Sequence, residues 1–185
     1  MRVSLIDKST DGVLAGAISG RTAFSEIISG AQAEPSEPTP LILDFASIEL
    51  ATASYMKEVV FGTKSFMRST GSRWYPIVAN ADDGIKEELR VLTEARKDAI
   101  IVCDCDEAGE ISNPRLFGDL DAKQVSTFNK VAEKGTADAS SLMQEFGEAE
   151  NTGPTAWNNR LAGLVAKGVL MEFKKGRAKL YRPAW

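Results

Sequence analysis

A chain of 185 residues, 43% of them hydrophobic and 26% charged, has room for two small domains and lies far from the composition of a disordered polypeptide. It contains no histidine, which excludes a Ser-His triad and any His-ligated metal, and its only cysteines, Cys103 and Cys105, exclude a disulfide framework. The net charge of −4 conceals a polarity: residues 1–153 carry 15 Lys+Arg against 25 Asp+Glu, giving −10, whereas residues 154–185 carry 7 against 1, giving +6.

The start, Met1 to Leu5, reads as a strand rather than a leader, and no apolar stretch approaches the roughly 20 residues that span a bilayer. The expected location is therefore the cytoplasm, with no membrane partner. Val3 to Ile6 is a short apolar strand, and 13–30 follows with Val13, Ala17, Phe24, Ile27 and Ile28 at roughly helical spacing. The run 34–40 holds three prolines and is a surface loop. Leu41 to Phe45 is a continuous apolar strand, 51–67 a helix, Tyr75 to Ala79 a third strand, 83–97 a helix and 99–103 a fourth strand. This βαβαβαβ order, over 1–112, predicts an α/β domain with a mostly parallel sheet.

From Asp119 the pattern turns to helices only, and 119–185 reads as a second domain. Helices are expected at 121–133, with Val125, Phe128, Val131 and Ala132 inward, and at 137–146, with Ala139, Leu142, Met143 and Phe146 inward. A third, 155–167, carries Trp157, Leu161, Leu164 and Val165 on one face. Strands 169–174 and 177–182 then flank Lys175-Gly176, a pair suited to a tight hairpin. With the turn there, Phe173 opposes Ala178 and Met171 opposes Leu180 on an inward apolar face, while Lys174/Arg177 and Glu172/Lys179 make a free basic face.

Three helices followed by a hairpin, with Ala156-Trp-Asn-Asn-Arg160-Leu-Ala-Gly-Leu-Val165-Ala-Lys-Gly-Val-Leu170 and then Gly176-Arg-Ala-Lys-Leu-Tyr-Arg-Pro183, resemble the winged helix-turn-helix family. The resemblance implies double-stranded DNA as partner, which the acidic remainder of the chain would repel from everywhere but this end. The third helix would enter the major groove with Thr155, Asn158, Asn159 and Arg160 toward base edges, Asn pairing with adenine and Arg with guanine. Lys167, Lys174, Lys175, Arg177, Lys179 and Arg182 are expected on phosphates. Such proteins commonly work as homodimers on paired half-sites, although no dimer surface is legible here. The rival reading is an adaptor whose winged helix binds protein and never DNA.

The segment Leu41-Ile-Leu-Asp-Phe-Ala-Ser-Ile-Glu-Leu-Ala-Thr-Ala-Ser-Tyr-Met56, with Ser19-Gly-Arg-Thr-Ala23 upstream, resembles the STAS-like domains, relatives of bacterial anti-sigma-factor antagonists. That resemblance implies a regulatory protein partner such as a histidine-kinase-like ATPase, and a phospho-acceptor at a helix start. Thr52 and Ala53 stand where the antagonists have an acid and a serine, which leaves Ser54 or Thr52 as the acceptor, against a plain capping role. No nucleotide-binding motif is present, and Cys103-Asp104-Cys105-Asp106-Glu107 falls short of a metal shell, so no cofactor, metal or enzymatic activity is expected.

Overall fold

A computed structural model describes every residue of the chain except Arg177. The chain divides into two compact units, Met1–Asp119 with Trp185, and Leu120–Ala184.

The first unit is α/β, with a mostly parallel sheet. In chain order it runs β1 (Arg2–Ser4), β2 (Val13–Leu14), α1 (Ala17–Gly30), β3 (Thr39–Asp44), β4 (Leu50–Ala51), α2 (Ala53–Met56), a π-helical stretch (Lys57–Gly62), α3 (Thr63–Ser69), β5 (Trp74–Ala79), α4 (Asp83–Arg96), β6 (Ala99–Cys105) and β7 (Ile111–Gly118). Five strands form one sheet in the order β1-β3-β5-β6-β7, the first four parallel and β7 antiparallel to β6. Each strand is added on the same side of the last. With right-handed crossovers, this monotonic order puts the three helical connections on one sheet face. The core agrees: Leu41, Leu43 and Phe45, Val78, Ile100 and Val102 alternate along their strands and cluster with Ile27, Val59, Phe61, Ile85 and Leu89 of the helices.

Small residues and buried polar links fix how these layers meet. At Gly20 of α1, a β-carbon would lie 3.0 Å from the Tyr55 carbonyl oxygen and from Cβ of Glu58, so the two helices cross backbone to backbone. Buried Lys64 of α3 binds Asp98 and the carbonyl of Ala99, pinning that helix to the start of β6. A second, two-stranded parallel ladder pairs β2 with β4 and draws the start of α1 to the start of α2.

Two expectations are corrected here. Residues 111–118, for which no element was expected, form the longest strand of the sheet, so the first unit extends beyond residue 112 to Asp119. The strand carries Pro114, and at the antiparallel edge of the sheet its missing donor can face away from the neighbouring strand. Val13 and Ala51, expected at helix starts, lie instead in the small ladder.

The second unit is α5 (Ala122–Lys134), α6 (Ala139–Phe146), α7 (Pro154–Ala166), β8 (Leu170–Lys175) and β9 (Ala178–Pro183). Asp121 and Asp138 cap α5 and α6 through capping boxes with Gln124 and Ser141, and Pro154 opens α7 where its absent N–H is not missed. Phe128, Val131, Leu142, Trp157, Leu161, Leu164 and Tyr181 are buried. Ala137, between α5 and α6, exchanges both backbone hydrogen bonds with Tyr181, at 3.0 and 2.8 Å, so β9 is flanked on both sides.

Among the described residues, no helix is long and apolar enough to cross a membrane.

Candidate nucleic-acid interface

The hairpin is antiparallel, but its register differs from the expected one. Lys175 pairs with Ala178, Phe173 with Leu180 and Met171 with Arg182. The connection therefore begins one residue later, at Gly176, whose φ of +63° a tight turn requires and glycine alone adopts without strain. The shift displaces partners by two positions along β9, so face membership survives while every pairing changes.

The division into an apolar inner face and a basic outer face does not hold. Leu170, Tyr181 and Pro183 are buried on the face that also carries Glu172, Lys174 and Lys179, whereas Phe173 and Leu180, on the other, are only half-buried. Burial instead falls off along the ribbon. Its root is packed, and Lys174, Lys175, Gly176, Ala178 and Lys179 at its tip are exposed. Lys174 sits directly across from Lys179, a like-charge pair that is unfavourable without an anion nearby. Glu172 relieves part of it: it binds Lys179 Nζ at 3.0 Å and raises the lysine's pKa through that hydrogen bond. Arg182 donates to Thr136 Oγ1 at 3.1 Å and stacks its guanidinium over the Phe173 ring at 4.7 Å. Arg177 lies outside the described residues.

Helix α7 exposes Thr155, Asn158, Asn159, Ala162 and Ala166. Asn158 Nδ2 donates to the Pro154 carbonyl at 3.1 Å, while no hydrogen bond engages the Asn159 side chain among the described residues. Arg160 is not on this surface. Its guanidinium binds Glu150 Oε2 at 2.8 Å and Thr152 Oγ1 at 3.1 Å and lies 4.9 Å from the Trp157 ring, with the side chain 11% exposed. It is committed to the fold and withdrawn from the candidate base readers. Glu150 also binds Lys130 of α5 at 2.7 Å, and hydrogen bonds from Lys130 and then Arg160 hold its carboxyl below the usual range. Lys167 caps the end of α7 and is half-buried.

In the first unit, Thr52 is the N-cap of α2: its Oγ1 accepts from Tyr55 N at 3.4 Å and from Gly16 N at 3.2 Å. Ser54 Oγ lies 3.1 Å from that oxygen and is exposed. Thr52 thus has a structural duty, and Ser54 is the freer hydroxyl of the two. Ile18 and Leu50, each two residues from the Gly16–Thr52 hydrogen bond, are 76% and 53% exposed. Cys103 and Cys105 are both buried; burial pushes the Cys103 thiol up to about 12 and raises that of Cys105. Among the described residues, no cluster of three acidic or cysteine side chains is placed to hold a metal.

Sequence reasoning missed the network at the ends of the parallel strands. Buried Asp44 receives Arg2 Nε and Nη2 on one oxygen, at 2.9 and 2.7 Å, and Asn80 Nδ2 and Ala46 N on the other, at 2.8 and 3.0 Å. Asn80, with φ at +56°, also exchanges two hydrogen bonds with Cys105, both 2.9 Å. Every lone pair of the carboxylate is occupied, so it acts as a structural clamp.

No protein-family model matches the chain, and no curated protein matches it.

Proposed function

We propose that the second unit is a winged helix that binds duplex DNA through the tip of its hairpin and the exposed face of α7, and that the protein is a transcriptional regulator. The observation that carries this reading is the tip itself: exposed Lys174 and Lys175, with Lys174 facing Lys179 across the ribbon, are cations held together without enough acid to neutralise them. The order of helices, the extra backbone pairing at Ala137 and the acid-free exposed face of α7 support the same assignment. In this reading Lys174 and Lys175 contact phosphates, joined by Arg182 and Lys167, and Asn159 with Thr155 faces base edges. Charge reversal tests it. Lys174→Glu with Lys175→Glu alters only exposed side chains and is expected to abolish duplex retention in a gel shift, with the circular dichroism unchanged. Undiminished retention by a folded double variant would remove the hairpin from the mechanism.

The first unit, in the same proposal, is STAS-like and receives a signal by docking a protein, of which a histidine-kinase-like ATPase is the type implied by the resemblance. Exposed Ile18 and Leu50, each two residues from the hydrogen-bonded pair Gly16 and Thr52, would offer apolar contacts to such a partner near the exposed Ser54 hydroxyl.

A further inference from the structure

We infer that the exposed face of α7 is built to read adenine and thymine rather than guanine in the major groove; this rests on the proposal that the unit binds duplex DNA. The argument begins with what the helix presents. Its exposed side chains beyond Pro154 are Thr155, Asn158, Asn159, Ala162 and Ala166, and none is a cation. Guanine offers two acceptors in the major groove, N7 and O6, and is read best by a bidentate arginine or lysine. The one arginine of α7, Arg160, is bound to Glu150 and Thr152 beside Trp157 and cannot reach a base without breaking that network. Guanine therefore has no reader on this face.

Adenine does. It presents N7 as acceptor and its N6 amino group as donor, the complement of a carboxamide. Asn158 has one amide hydrogen committed to the Pro154 carbonyl. Asn159 keeps both ends of its amide open among the described residues, so its Nδ2 donates to N7 while its Oδ1 accepts from N6; toward guanine, the same Oδ1 would face O6, acceptor against acceptor. Thr155, one turn before, and Ala162, one turn after, lie on the same side of the helix and offer methyl groups. A methyl is the partner of the thymine C5 methyl, and alanine at Ala162 and Ala166 leaves the helix slim enough to sit deep in the groove.

The test is selection of duplexes from a random pool with the full-length protein, followed by affinity measurements on the enriched site. The expected site contains an adenine whose replacement by guanine, or by 7-deazaadenine, lowers affinity roughly ten- to hundredfold. Asn159→Ala, an exposed position with no partner to lose, is expected to erase that discrimination while leaving the salt dependence of binding unchanged; deoxyuridine in place of the neighbouring thymine should weaken the wild-type protein. An enriched site whose discrimination lies at guanine, a preference that Asn159→Ala leaves intact, or binding with no base preference would each overturn the inference while leaving salt-dependent DNA binding standing. Absence of any salt-dependent binding would overturn it together with the reading on which it rests.

Discussion

Asp44 ties β1, the turn after β3 and the end of β5 into one hydrogen-bonded knot, and through Asn80 it reaches Cys105 of β6. Its side chain is only 5% exposed, so removing it strands several donors away from water. Asp44→Ala is expected to lower stability by about 3 kcal/mol, measured by urea unfolding of the full chain. A loss within the range of an exposed substitution, about 0.5 kcal/mol, would mean that the knot opens without consequence. None of this was legible in the sequence, where Asp44 sits inside the apolar run Leu41 to Phe45 and its partners stand 42 and 36 residues away. Arg160 was misjudged for a related reason. Helical spacing placed it beside the amides of α7, but the side chain turns back to Glu150, ten residues earlier, across a loop whose path no periodicity encodes.

At the scale of elements, what was readable was what short-range chemistry dictates. The stripe Trp157, Leu161, Leu164 could only be a buried helix face, and all three are fully buried. Asp121 and Asp138 cap helices that start within two residues of those expected. The hairpin register escaped because Lys175-Gly176 and the dipeptide starting at Gly176 both satisfy a two-residue turn, and parity keeps the same residues on the same face in either case. Strand β7 escaped because Asn113-Pro114 reads as a turn, whereas in the sheet it lies beside a register shift that absorbs both the proline and the φ of +48° at Asn113. The tie between α5 and α7 through Glu150 has a consequence in acid. Because hydrogen bonds from Lys130 and Arg160 lower its pKa in the folded state, Glu150 contributes stability that is present above its unfolded value of about 4.3 and is lost as pH falls through the folded value. Glu150→Gln should cost about 2 kcal/mol at neutral pH and flatten the fall in melting temperature as the pH drops below about 5. An unaltered acid limb in the variant would show that the network does not link the two helices energetically.

For the whole molecule, charge is the organising variable. The first unit carries 12 Lys+Arg against 19 Asp+Glu, a formal −7, and the second 10 against 7, a formal +3. In the proposed reading, nucleic acid would be repelled by one unit and drawn to the other, and within the second unit the acids Glu150 and Glu172 pair with part of the positive charge, leaving the exposed lysines of the hairpin tip for phosphate. This polarity was legible from composition alone, since it needs only a count along the chain. Which cations remain free was not, because ion pairing depends on side chains brought together by folding.

The most direct test of the DNA-binding account is the salt dependence of duplex affinity for the full-length protein. Contacts to phosphate through Lys174, Lys175 and a few neighbouring cations predict that the logarithm of the association constant falls linearly with the logarithm of salt concentration, with a slope of roughly −2 to −4. Affinity that is flat in salt, or a slope of the same size in Lys174→Glu with Lys175→Glu, would contradict it.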